Sequence, residues 1–115
     1  EKINEIGEEK AFRAWVGPEG SDQDFIFEYS WSEVKATSIS SDTVTISSVQ
    51  QLERQEKGHL VVYFMDKTSA KGQHTRTLPE TAEKVKSLLS VQYHDELSCK
   101  LAKKILNDML LICIV

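Results

Sequence analysis

The apolar positions of this chain repeat every two residues through its first half and every three to four in its last third, which predicts strands followed by helices. The stretch Gly58-His59-Leu60-Val61-Val62-Tyr63-Phe64-Met65-Asp66 carries apolar side chains on both faces of an extended strand. Val61, Tyr63 and Met65 fall on one face and Leu60, Val62 and Phe64 on the other, so the pattern predicts a central strand buried on both sides. Upstream, Ala11 to Val16 reads as a short strand closed by the turn Gly17-Pro18-Glu19-Gly20. Asp24 to Trp31 alternates Phe25, Phe27, Tyr29 and Trp31 against Ile26, Glu28 and Ser30, a strand with an aromatic face toward the core. Glu33 to Ile39 continues extended, and Thr43 to Ser47 gives a further strand after the turn Ser40-Ser41-Asp42.

Ser48 to Gly58 admits a short helix, from the Ser48-x-x-Gln51 pattern, or a hairpin loop at Glu56-Lys57-Gly58; the hairpin is preferred. Gln73 to Leu78 is polar enough for an edge strand. Thr77-x-x-Glu80 with Pro79 then opens a helix to about Val91, and a second begins at Tyr93 or Asp95. In the second, Leu97, Leu101, Ile105, Met109 and Ile112 share one face, with Lys100, Lys103, Lys104 and Asp108 on the wet side. At the N-terminus, Ile3 and Ile6 suit a turn of helix that Gly7 interrupts. Together these elements predict a single α+β domain over residues 1–115: an antiparallel meander of about five strands followed by two helices packed on one face. In architecture alone this order resembles RWD-type domains and PH-like domains, both binding modules, and no residue motif selects either.

Composition adds that 115 residues, 40% of them hydrophobic, are enough for one core without metal or disulfide. A start at Glu1 without a signal-like segment predicts a domain cut from a longer protein. Cys99 and Cys113, if both lie on one helix, are about 21 Å apart at 1.5 Å per residue and cannot bridge. Reduced thiols predict an intracellular location, cytoplasmic or nuclear. The longest apolar run, Met109 to Val115, is too short to span a membrane.

The net charge of −4 divides into −6 over residues 1–65 (6 basic, 12 acidic) and +2 over residues 66–115 (8 basic, 6 acidic), which argues against nucleic acid as a partner. Aspartates 22 and 24 and Glu28 argue likewise against reading the aromatic strand as a base-stacking platform. No phosphate-binding glycine loop, Gly-x-Ser-x-Gly elbow or His-Glu-x-x-His motif occurs. His59, His74 and His94 are scattered, so no catalytic residue, metal site or cofactor is expected. The resulting expectation is a non-enzymatic interaction or scaffolding domain whose partner is another protein or a second copy of itself. Leu110, Leu111, Ile112, Ile114 and Val115 are the candidate interface, because they leave no polar face for water. Two alternatives stay open: a PH-like phosphoinositide module with peripheral membrane contact through Lys67, Lys71, His74 and Arg76, and a small cysteine enzyme built on Cys99 and a histidine such as His94.

Overall fold

The computed structural model describes residues 1–68, 72 and 75–114, with 105–114 described by their backbone alone. Gly7 divides the N-terminal segment into two short helices, α1 (Lys2–Ile6) and α2 (Glu8–Ala14). Its φ of 87° is one that a side chain would strain, so the chain bends where glycine permits it. The strand expected over 11–16 is therefore mostly helix, and only Trp15 makes an isolated bridge, to Phe25. Helix wins because Ala11 and Ala14 are strong helix formers, while Glu8 and Glu9 in the first turn and Arg13 in the last complement the helix dipole.

The Asp24–Trp31 stretch is a hairpin rather than one strand. β1 (Phe25–Ile26) turns back through residues 27–29 into β2 (Ser30–Thr37), pairing Phe25 with Ser32 and Ile26 with Trp31. The turn is closed by the Phe27 N–H, which donates to Ser30 O at 2.8 Å. β3 (Lys57–Phe64) lies parallel to β2, from Ser30 beside Lys57 to Thr37 beside Phe64. The sheet is thus three-stranded and mixed, in the order β1-β2-β3, which corrects the expected five-strand antiparallel meander.

The physical reason lies in the connection. Parallel neighbours need a long crossover, and residues 38–56 supply it, so Thr43 to Ser47 form no strand and no tight hairpin forms at Glu56-Lys57-Gly58. Within that crossover Val49–Leu52 make a 3₁₀ turn, the helical alternative of the two weighed for this segment. A second correction concerns β3. It is an edge strand among the described residues, with Tyr63 55% and Phe64 59% exposed, because only β2 pairs with it while the helices pack elsewhere.

One contact on β3 demands glycine. A Cβ at Gly58 would stand 2.1 Å from the indole of Trp31, the buried residue beside it, whose Nε1–H donates to Glu56 O at 3.0 Å. Gly58→Ala is expected to cost about 1–3 kcal/mol, the usual range for forcing extra atoms into a packed site. Urea unfolding measures it, and an unchanged midpoint would show that β3 can slide off the indole freely.

The core sits among the helices. Phe12 of α2 packs with Leu89, Tyr93 and Leu97, flanked by Ile3, Trp15 and Leu101. Leu89 and Tyr93 come from the link between α3 (Leu78–Leu88) and α4 (His94–Ile114). The α3 start is as expected, with the Thr77 hydroxyl accepting from Glu80 N–H and the Glu80 carboxylate accepting from Thr77 N–H. The helix ends earlier than expected, at Leu88. The edge strand expected over Gln73 to Leu78 falls partly outside the described residues, and 75–77 form no strand.

Lys100 departs from its expected wet position. It is 5% exposed, its ammonium donating to the carbonyls of Phe12 (3.2 Å) and Trp15 (2.7 Å) at the end of α2. The same ammonium stands 4.5 Å from the centre of the Phe12 ring. The negative end of α2 and the ring face stabilise the cation there, while burial pushes its pKa down. The architecture is α+β, and no described helix is long and apolar enough to cross a membrane.

Candidate active site on the β1–β2 hairpin

Extending the hairpin register by one pair sets Asp24 opposite Glu33. Asp24 is held on three sides. Its carboxylate accepts from Val34 N–H at 2.9 Å, and its carbonyl accepts from the N–H groups of Val16 and Gly17, each at 3.0 Å. Gly17 presses so close that a Cβ there would lie 2.9 Å from the Asp24 carboxylate. The turn after α2 therefore fixes this side chain, and glycine is what lets it approach.

On β2 the alternation that buries Trp31 also turns Glu33 and Lys35 to the same face. Glu33 is 2% exposed, and one of its oxygens pairs with the Lys35 ammonium at 2.9 Å. Its other oxygen, Oε2, is buried without a hydrogen-bond partner. Lys35 also donates to the Gln51 side-chain oxygen at 3.2 Å, and that oxygen accepts from Ser47 N–H at 3.0 Å. Buried Gln23, just before Asp24, donates to Gln50 O at 2.7 Å. The crossover between β2 and β3 is thus fastened over the two carboxylates and the lysine. Leaving a carboxylate oxygen buried and unpaired costs stability, and such a cost is commonly retained where the oxygen has work to do.

The residues singled out from sequence lie elsewhere. Lys67 and Arg76 are exposed and outside regular structure, while Lys71 and His74 lie outside the described residues. Leu110, Leu111, Ile112 and Ile114 ride the last turns of α4, where side chains are not described, and Val115 lies outside the described residues. Cys99 is an exposed free thiol on α4. The His94 ring does not serve it: Nε2 stands 2.9 Å from Lys86 O and 3.0 Å from Leu89 O. Carbonyls only accept, so this nitrogen carries the hydrogen and His94 caps the end of α3.

What fold and site define is an α+β domain whose central strand carries an acid-x-lysine pair beside an aspartate that immediately precedes the neighbouring strand. One protein family matches the chain, over residues 2–109, under the description "Putative PD-(D/E)XK family member (DUF4420)". The chain belongs to this family. Glu33-Val34-Lys35 fits the (D/E)XK part of the name and Asp24 the preceding aspartate, although Gln23 stands where the name has proline. No curated protein and no solved structure matches. The PD-(D/E)XK families form a superfamily of nucleases and related enzymes, which overturns the expectation of a non-enzymatic scaffold.

Sequence reasoning passed over Asp24, Glu33 and Lys35. A usable signal was present, because strand alternation puts Glu33 and Lys35 on the same face as Trp31 and so places two charges beside a large aromatic residue on an inward face.

Proposed function

We propose that this protein is a nuclease that hydrolyses phosphodiester bonds, with Asp24, Glu33 and Lys35 as its catalytic residues. The observation that carries this reading is the buried, unpartnered Glu33 Oε2 on a strand face shared with Lys35 and next to Asp24. An anionic oxygen withheld from water and from every protein donor fits a divalent cation. Among the described residues no group of three or more His, Cys, Asp or Glu gathers, but magnesium binds through one or two carboxylates, completing its shell with water and substrate phosphate. Asp24 and Glu33 would hold the ion. When bound, it supplies Lewis-acid polarisation of a phosphoryl oxygen and acidifies water.

The chain's own groups divide the remaining tasks. The Val34 N–H and the close approach of Gly17 fix the Asp24 carboxylate from the protein side. Lys35 spans Glu33 and Gln51, which holds its ammonium at the edge of the acid pair, where it stabilises charge developing on the phosphate oxygens. Gln51 takes two donors and so keeps Lys35 from swinging out to water.

Incubation of the protein with labelled single-stranded and duplex DNA, with magnesium or manganese and with EDTA, tests the reading. Cation-dependent cleavage by wild type, lost in Asp24→Asn, is the expected result. Absence of cleavage across both cations and both substrates, from a protein with a cooperative melt, overturns it.

A further inference from the structure

We infer that the groove between α1–α2 and the β1–β2 turn binds an unpaired stretch of nucleic acid, feeding it toward the carboxylates; this rests on the nuclease reading above. The groove encloses about 520 Å³ and is lined by three cations, Lys2, Lys10 and Arg13, against a single carboxylate, Glu28. Lys10 and Arg13 lie three apart on α2 and so share a side of it. Arg13 is ion-paired with Glu96 and Lys2 with Glu5, whereas Lys10 makes no ion pair among the described residues. A phosphate seated there meets the uncommitted ammonium of Lys10 and two shared cations, the Lys2 ammonium and the Arg13 guanidinium.

The opposite wall is aromatic. Phe27 stacks on Phe25 with their rings 7° from parallel, and the Lys2 ammonium stands 5.5 Å from the centre of the Phe27 ring. Tyr29 at the turn is 79% exposed, contrary to the core place its strand phase predicts, because the turn at 27–29 breaks that phase. A large aromatic ring held at a hairpin tip beside cations is the composition of a strand-binding platform, where bases stack and phosphates pair. Bases inside a duplex hide their faces, so this surface selects unpaired strand.

Position supports the pairing of functions. Ile26, which lines the groove, is the register partner of Trp31 and so shares the face of Glu33 and Lys35. Phe27 lies three residues beyond Asp24, about 10 Å along a strand at roughly 3.4 Å per residue. A chain lying in the groove reaches the acid pair within a nucleotide or two.

Fluorescence anisotropy with a labelled mixed-sequence 20-nucleotide single strand and the matching duplex, in EDTA so that nothing is cut, tests the inference. Tyr29→Ala is expected to weaken single-strand binding at least about fivefold, the lower end for loss of one stacked base. Lys10→Ala is expected to lower the magnitude of the salt slope by about one. Both sites are exposed, and circular dichroism checks that both variants fold. Wild-type affinity in both variants, no binding by wild type, or equal losses on single strand and duplex would each overturn the groove. The two readings separate cleanly: Tyr29-dependent binding without cation-dependent cleavage supports the groove and removes the nuclease, whereas cleavage unaffected by Tyr29→Ala does the reverse.

Discussion

Glu33→Gln is expected to reduce cleavage roughly 10³-fold, the scale on which single electrostatic or acid–base groups contribute to catalysis. The amide keeps the shape of the side chain but removes the negative charge from the oxygen that the fold leaves unpaired. It also leaves the Lys35 ammonium without its anion, so a loss of stability accompanies the loss of rate. The double variant Glu33→Gln, Lys35→Met separates the two effects. Removing both members of a buried ion pair is often neutral or stabilising, so the double variant is expected to melt at or above the single variant while remaining inactive. Thermal melts beside a cleavage assay decide the matter. Activity of Glu33→Gln within tenfold of wild type would remove Glu33 from the mechanism.

Phe12→Ala is expected to be the most damaging core substitution, costing about 3–5 kcal/mol. Phe12 is buried against Tyr93, with ring centres 5.4 Å apart, and its face carries the Lys100 ammonium. Truncation therefore opens a cavity and removes the ring that helps hold a buried cation in place. Since whole domains are stable by only about 5–15 kcal/mol, roughly a fifth or more of the total is at stake. Urea unfolding followed by circular dichroism reads the loss, and a midpoint within error of wild type would show that the helical core is not centred on this ring.

The parts of this molecule that follow from local chemistry were readable from the residues. Thr77 and Glu80 start α3 as a capping box does, and Gly17-Pro18-Glu19-Gly20 makes the turn that presses on Asp24. What misled was every step that depends on pairing at a distance. Apolar residues on both faces of Leu60 to Phe64 signal burial only if a second strand or layer arrives, and nothing within the stretch says whether it does. The site was hidden for a related reason. An acid and a lysine two apart is too common a pattern to stand out, and its meaning comes from Asp24, just before the neighbouring strand, and Gln51 on the crossover.

The parallel pairing of β2 with β3 also orders events in time. The β1–β2 hairpin closes a loop of three residues, so the Asp24 and Glu33 strands can meet early and at little entropic cost. Residues 38–56 must fold back before β3 can pair with β2, and long-range parallel pairing is slow because its reward comes only after loop closure. Gln51 lies on that returning segment. The two acids are therefore brought together by the hairpin, and the lysine at their edge gains its second tether, to Gln51, only once the crossover has settled.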